Sequence, residues 1–323
     1  MTDNTTHKSA LVTGATSGLG FEAAAQLAEA GYDRVTITGR NTARAEQARV
    51  ALVARTGRDV FETLEVDLNQ SASVSTAAKE LAERGHQVNF LLLNAGMVSG
   101  GDLVRTDEGV EITTASSLVG HHQLTMQLLS DDLLADRASI VIAGSEAARG
   151  DVMGFTPVDL SEFAAENYDG DLEVAAEALM RFDVPLKFSS ATAYSTAKLF
   201  VAYWAAELAR RLPDGMTVNA VSPGSAPDTD AGRNANFAMK LMMTVFKVVP
   251  GMSAPVSVAA SRYVEVSEYP DDVSGEFFAS APKKMVGDLH RMDHVHVTDK
   301  ERQQATWNAL VVVSGGVDYP VAA

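Results

Sequence analysis

Short apolar runs alternate with segments of helical spacing through the first third of the chain. Val88–Leu93 is an almost unbroken apolar run, and Arg34–Thr38 is rich in β-branched residues, as is typical of strands buried on both faces. The predicted strands are Ser9–Thr13, Arg34–Thr38, Val60–Val66 and Val88–Leu93, and the predicted helices are Phe21–Ala30, Thr42–Arg55 and Ser73–Arg84.

The second half of the chain continues this alternation. Long helices are predicted over Val110–Leu129 and Ala193–Arg211, and further strands over Ser139–Ala143, Met216–Val221 and Gly275–Ala279. Strands that alternate with helices imply right-handed crossovers and parallel pairing. We therefore predict an α/β fold, a doubly wound parallel sheet of about seven strands flanked by helices, in a single domain over residues 1–323. Ligands of such sheets bind at the carboxyl ends of the strands.

Two segments depart from the regular pattern. Residues 151–190 hold nine acidic residues against Arg181 and Lys187, with helical spacing around Leu172–Met180. This acidic insertion is interpreted as a solvated surface segment or as a rim of the substrate cleft, and the two are compatible. Residues 225–252 contain the methionine-rich apolar segment Phe237–Val249, which fits either core packing or a lid over a bulky apolar substrate.

The composition excludes several classes of protein. There is no cysteine, which rules out disulfides and thiolate sites, and the formal net charge of −16 repels nucleic acid and anionic membranes. The polar segment Met1–Lys8 lacks the apolar core of a signal peptide, and Lys240 and Lys247 interrupt the apolar stretch Phe237–Met252. We expect a cytoplasmic protein with no membrane span that acts on a small molecule.

A glycine-rich turn between the first strand and the first helix predicts a dinucleotide site. Glycine permits positive φ and a close approach of the backbone to a ligand, and the N–H groups at a helix start bind a pyrophosphate. A strand–turn–helix context strengthens the glycine signal. The turn reads Thr13-Gly14-Ala15-Thr16-Ser17-Gly18-Leu19-Gly20.

The end of the second strand bears on the choice of cofactor. An acidic residue there would bind the ribose 2′-hydroxyl of NAD, but the chain has Gly39 followed by Arg40 and Asn41. A cation at this place favours a 2′-phosphate, so we predict NADP(H) in preference to NAD(H). The alternative is that Arg40 is an ordinary surface arginine.

Tyr194 and Lys198 are the candidates for proton transfer. They lie four residues apart on a predicted helix and so share one face. An ammonium near a phenol lowers its pKa from the ordinary value of about 10, and a tuned phenol can donate or accept a proton. Ser145, just past the fifth strand, would face the same crevice and hydrogen-bond the substrate oxygen.

Together these motifs resemble the short-chain dehydrogenase/reductase family across most of the chain. The long gap between Ser145 and Tyr194 is similar to the retinol dehydrogenase-like and protochlorophyllide reductase-like branches. The matching residues are the glycine turn, Asp67, Asn94-Ala95-Gly96, Ser145, Tyr194-Ser195-Thr196-Ala197-Lys198 and Pro223-Gly224.

The resemblance implies a Rossmann-type fold and a set of roles. Asp67, with Leu68 beside it, would meet the adenine, Asn94-Ala95-Gly96 would line the cofactor trough, and Pro223-Gly224 would border the nicotinamide. Lys198 would also bond the nicotinamide ribose. The implied reaction is hydride transfer between NADP(H) and a carbonyl or secondary alcohol. Members commonly pair through the two long helices, so we expect a homodimer or homotetramer; Val201, Trp204 and Leu208 suit either core or interface.

One position departs from the family. An asparagine usually supports a proton-relay water in the helix after the fourth strand, and alignment on Gly120-His121 puts Ser117 there. A hydroxyl can hold a water but cannot present an amide and a carbonyl together. The rival hypothesis is therefore an NADP(H)-binding regulatory protein with little catalysis; reduction of a conjugated C=C bond is a minor alternative.

His290, His294 and His296 are interpreted as a solvated tail, and no metal site is predicted.

Overall fold

The computed structural model describes residues 8–226, 251–293 and 295–319. Within these residues one sheet has the order β3-β2-β1-β4-β5-β6-β7-β8, parallel except for the antiparallel pair β7–β8. Its strands are β1 Ser9–Val12, β2 Arg34–Gly39, β3 Phe61–Glu65, β4 Val88–Leu93, β5 Leu134–Ala143, β6 Thr217–Val221, β7 Phe277–Ser280 and β8 Leu289–Arg291.

Helices cover both faces of the sheet. Successive side chains of β4 point to opposite sides, so Phe90 and Leu92 pack in one apolar cluster while Leu91 and Leu93 pack in the other. The helices are α1 Gly18–Glu29, α2 Thr42–Thr56, α3 Ser71–Arg84, α4 Ile112–Thr114, α5 Gly120–Ser130, α6 Leu160–Asn167, α7 Leu172–Arg181, α8 Ser190–Ala209, α9 Val256–Ser267, α10 Val295–Thr298 and α11 Lys300–Val313.

The predicted fold class is confirmed. The chain forms a doubly wound, mostly parallel sheet with helices on both faces, in a single domain. The seventh strand begins two residues later than predicted and ends one residue later. An eighth strand follows it. This β8 is only three residues long and pairs at the sheet edge, so it leaves no apolar run in the sequence.

The acidic insertion forms an outer layer together with α11. Its helices α6 and α7 bury an apolar face that includes Leu160, Phe163 and Leu179, while most of its carboxylates lie outward. Across the contact Arg302 pairs with Asp159 at 3.1 Å. The insertion is therefore packed structure with a charged outer face.

Helix α8 lies beneath this layer and is almost completely covered. Val201, Trp204 and Leu208 are each 0 % exposed, so they serve the core. The side chains of α5 are also nearly all buried. The predicted subunit contact through these two helices is therefore wrong, because the chain's own helices cover them; the oligomeric state itself stays a prediction.

Two other predictions can be compared with the structure only over the residues that it describes. The apolar segment Phe237–Val249, most of the predicted lid over 225–252, lies outside them. No helix within the described ranges is both long and apolar enough to cross a membrane.

Candidate active site

The glycine turn lies between β1 and α1 and is built against the end of β4. Gly14 has φ +65°, and a Cβ on Gly20 would lie 2.5 Å from Asn94 Nδ2 and 2.6 Å from the Gly14 carbonyl oxygen. Asn94 Nδ2 donates to the Thr13 carbonyl at 2.9 Å. Glycine is needed at these positions, because the turn and the Asn94 side chain approach each other too closely for a larger residue.

A cleft of about 540 Å³ opens at the carboxyl ends of the strands beside this turn. Most of the predicted cofactor residues line it, whereas Gly20, Tyr194, Lys198, Pro223 and Gly224 lie outside the lining. The predicted residues that line it are Gly14, Thr16, Ser17, Gly18, Leu19, Arg40, Asn41, Asp67, Leu68, Asn94, Ala95 and Gly96. Sequence reasoning assigned no cofactor contact to Thr38, Gly39, Arg44, Val66, Asn69, Met97 and Ser116, which also line it.

The end of β2 carries two arginines beside the cleft. A Cβ on Gly39 would lie 2.6 Å from Thr16 Cγ2, so a larger residue here would require the Thr16 side chain to shift. Arg40 and Arg44 are exposed and both line the cleft. The Asn41 side chain caps α2 by accepting from the Arg44 N–H at 3.0 Å. Arg44 follows Arg40 by four residues, a helical spacing that could have revealed it.

Tyr194, Ser145 and Lys198 converge at the end of β5. The Ser145 hydroxyl neighbours the Tyr194 phenol and favours its ionised form. Lys198 Nζ donates to the Ala143 carbonyl at 2.6 Å and lies 5.9 Å from the centroid of the Tyr194 ring. The structure thus brings together the three side chains predicted for proton transfer.

The electrostatics of the phenol differ from the prediction. Burial raises the pKa of Tyr194; the neighbouring Ser145 hydroxyl opposes this, and the charge of Glu146 adds to it. Burial also lowers the pKa of Lys198 to about 8, because it disfavours the ammonium form. The net shift of the Tyr194 pKa is therefore upward, opposite to the direction expected from Lys198, because desolvation is the largest cause.

Ser117 lies in a π-helical turn, Ala115–Val119, between α4 and α5. Such turns often occur at functional sites. The Ser117 hydroxyl is buried and has no hydrogen-bond partner within the described residues. A Cβ on Gly96 would lie 2.9 Å from Ser117 Oγ and 3.8 Å from Lys198 Nζ, so the glycine lets the two polar atoms approach the cleft.

His121 links this π-turn to β1. Its Nε2 lies 2.9 Å from Thr13 Oγ1, and its Nδ1 lies 3.3 Å from the Ser117 carbonyl oxygen. Since Thr13 Oγ1 also accepts from the Ala95 N–H at 2.9 Å, the hydroxyl is free to donate to the ring. Burial lowers the pKa of His121 to about 3, so the ring is neutral and fixes backbone geometry.

The remaining predicted residues occupy separate loops. The Asp67 carboxylate accepts from the Asn69 N–H at 3.1 Å and from Gln70 Nε2 at 3.3 Å, which holds it at the end of the cleft. Pro223 and Gly224 follow β6, and Gly224 has φ +80°. No cluster of metal-ligating side chains occurs within the described residues, which exclude His294.

One side of the Tyr194 ring packs against apolar residues. Phe155, from the start of the insertion, meets the ring edge-on at a centroid distance of 5.9 Å. Val98 and Ala191 complete this small cluster. A substrate that reaches the phenol therefore passes an apolar, aromatic border.

Comparisons with known proteins agree on the family. The short chain dehydrogenase family profile matches residues 8–166. The WW domain-containing oxidoreductase of Drosophila melanogaster is 28% identical over 274 residues, which are 84% of this chain but only 61% of that protein. Human retinol dehydrogenase 13 is 28% identical over 283 residues, 86% of this chain and 77% of that protein.

Solved structures share the fold over nearly the whole chain. A putative uncharacterized protein from Mycobacterium paratuberculosis has a TM-score of 0.69 at 22% identity, covering 97% of this chain and 95% of that one. A variant of actinorhodin polyketide ketoreductase, solved with NADPH, has a TM-score of 0.59 at 21% identity, covering 85% of this chain and 96% of its own. These findings support a classical short-chain dehydrogenase/reductase that is similar to the retinol dehydrogenase-like branch.

Proposed function

We propose that this oxidoreductase uses NADPH to reduce the carbonyl of a bulky apolar substrate, with Tyr194 as the proton donor. The observation that carries the proposal is the convergence of Tyr194, Ser145 and Lys198 at the end of β5, beside the cleft next to the glycine turn. Nucleophilic or metal chemistry lacks a comparable constellation within the described residues.

The residues of the cleft fit NADPH. Gly14, Gly18 and the start of α1 suit a pyrophosphate, since glycines with positive φ and free helix N–H groups meet there. Arg40 and Arg44 suit the 2′-phosphate, and Gly39 stands where an acidic side chain would favour NAD. When bound, NADPH supplies the hydride that reduces the carbonyl.

The proton then comes from the chain. Because burial raises the pKa of Tyr194, the phenol stays protonated at neutral pH and is ready to donate to a carbonyl oxygen. Ser145, which neighbours the phenol, would hold that oxygen in place. A protonated phenol suits reduction better than alcohol oxidation, which needs a base, and this supports the reductive direction.

The substrate is proposed to be apolar near its carbonyl. Phe155, Val98 and Ala191 border the Tyr194 ring, so a polar substituent there would lose hydrogen bonds to water without replacement. Aromatic or branched ketones and aldehydes are therefore the first compounds to test.

A cofactor-consumption assay tests the proposal directly. We expect the protein to oxidise NADPH, and NADH much more slowly, in the presence of aromatic ketones or aldehydes, as followed by absorbance of the reduced nicotinamide. NADPH binding without consumption across the panel would instead favour the regulatory hypothesis, for which the unpartnered Ser117 hydroxyl is the supporting feature.

A further inference from the structure

A buried carboxylate lies directly behind the proposed active site. Glu146 follows Ser145 and is only 2 % exposed. One oxygen, Oε1, accepts from the Ser280 backbone N–H at 3.3 Å and from its hydroxyl at 3.0 Å, and the other, Oε2, accepts from the Ser222 hydroxyl. Arg262 lies 3.5 Å from Oε1 and is also buried. Sequence reasoning missed this cluster, because nothing in the sequence indicates that these charges are buried.

The cluster joins the carboxyl ends of three adjacent strands. Glu146 lies three residues past the end of β5, Ser222 directly follows β6, and Ser280 ends β7. From α9, Arg262 donates Nη1 to the Ser222 carbonyl at 3.0 Å and Nη2 to Ser280 Oγ at 3.0 Å and to the Gly287 carbonyl. A single ion pair thereby fixes the strand ends that would border the nicotinamide.

A second buried guanidinium holds the loop over residues 281–287. Arg149 donates to the carbonyl oxygens of Ala281 at 3.2 Å and Lys284 at 2.8 Å, and it pairs with Asp151 at 2.9 Å. The loop in turn lies against Gly224, since a Cβ there would lie 2.9 Å from the Met285 carbonyl oxygen. The position of the turn that follows β6 thus depends on both arginines.

We propose that Glu146, held by Arg262, is a positioning residue that fixes these strand ends around Tyr194 and places a negative charge near its phenol. The inference rests on the proposed function. Burying an ion pair is costly, and apolar residues of similar size can pack as stably, so its place beside Ser145 favours a role in the site.

The charges around the Tyr194 phenol determine whether its pKa rises or falls when the charge of Glu146 is removed. Glu146 opposes ionisation of Tyr194. The neighbouring Tyr263 on α9 is buried, which raises its own pKa, and ionised Tyr194 raises that pKa further. Lys198 on α8 and Arg262 on α9 carry the opposite charge. Glu146 therefore raises the pKa of Tyr194, and a neutral residue at this position should lower it.

The test is the ionisation of Tyr194 itself, which needs no substrate. The seven tyrosines are replaced by 3-fluorotyrosine, and the Tyr194 resonance is assigned by ¹⁹F NMR with Tyr194→Phe. Glu146→Gln keeps the shape of the side chain but removes its charge. We expect the Tyr194 resonance to titrate roughly one pH unit lower in this variant than in the native protein. An unchanged titration would overturn the proposal.

Two variants separate charge from packing. Glu146→Asp retains the charge and should titrate close to the native protein; a shift as large as that of Glu146→Gln would overturn the electrostatic role. Glu207→Gln is the matched control, because Glu207 is 4 % exposed and paired with Arg210 and Arg211, away from the site on α8. It should cost stability without moving the Tyr194 titration.

Arg262→Lys tests the positioning role should Glu146→Gln fail to fold. A lysine keeps the charge but cannot bond the Ser222, Ser280 and Gly287 oxygens together. Hydrogen exchange of residues 222–226 and 281–287 should accelerate about tenfold or more in this variant and not in Glu207→Gln. Unchanged exchange would contradict the proposal. Neither readout requires turnover, so inactivity toward all carbonyls would count against the proposed function alone.

Discussion

At the scale of single residues, Arg40 is the simplest test of cofactor preference. It is exposed and lines the cleft, and a charge-assisted hydrogen bond to a phosphate contributes about 1.5–3 kcal/mol. Arg40→Ala should therefore weaken NADPH binding by roughly ten- to a hundredfold and leave NADH binding nearly unchanged. Fluorescence titration of both cofactors measures this.

Arg49 provides the control for that titration. It lies on α2, the helix that follows Arg40, but pairs with Glu46 and Asp59 instead of lining the cleft. Arg49→Ala should bind both cofactors as the native protein does. Equal affinity of the native protein for NADPH and NADH would refute the predicted preference.

The second prediction about a single residue concerns the effect of Ser117 on turnover. If its buried hydroxyl holds a relay water weakly, Ser117→Asn should raise turnover by supplying a carbonyl and an amide, while Ser117→Ala should lower it. Steady-state rates at saturating NADPH compare the three proteins. Equal rates in all of them would exclude a relay through this position.

How far the sequence could predict the site depends on what each residue does. Gly14, Asn94, Ser145, Tyr194 and Lys198 lie at strand and helix ends whose order the sequence reveals, so their convergence was predictable. Burial was not. It reverses the expected direction of the Tyr194 pKa, and it also creates the charged cluster of Glu146 and Arg262, whose partners lie more than a hundred residues apart.

At the scale of elements, α5 carries two buried histidines that should make the fold sensitive to acid. Burial lowers the pKa of His121 to about 3 and that of His122 to about 4. The unfolded chain protonates both below a pH of about 6.5, while the folded chain keeps them neutral. Their contribution to stability is therefore complete above pH 6.5 and is lost progressively as the pH falls toward 4, by about 1.4 kcal/mol per pH unit for each histidine.

Denaturant unfolding between pH 7 and 4 measures this slope. His122→Gln should reduce it, since the ring then has no proton to take up on unfolding. His86 is exposed on the loop before β4, so His86→Gln should leave the slope unchanged. An equal slope in native protein and His122→Gln would show that other groups govern the acid response.

Elements were predictable where an apolar period was long and unbroken. Val88–Leu93 and the start of α2 agree with their predictions to the residue. By contrast, α6, α9 and α11 were not predicted. Helices α6 and α9 lie among loop residues rich in Pro, Gly and Asp, and their buried faces pack on α7 and α1.

At the scale of the whole molecule, the outer layer bears on assembly. Helix α11 packs on α8, whose apolar face was the expected subunit contact. We therefore expect the predicted homodimer or homotetramer to form through another surface of the chain, and light scattering at micromolar concentration to give a mass above that of one chain. A monomer mass would contradict this prediction.

The account as a whole depends on Tyr194 as the proton donor. Tyr203→Phe is the matched control, because Tyr203 is a buried tyrosine of the same helix that lies away from the cleft. With any carbonyl that the native protein reduces, the decisive measurement is single-turnover oxidation of bound NADPH by native protein, Tyr194→Phe and Tyr203→Phe. We predict that Tyr194→Phe alone slows this step by roughly a hundred- to ten-thousandfold while its NADPH affinity stays close to native. Full activity of Tyr194→Phe would contradict the mechanism.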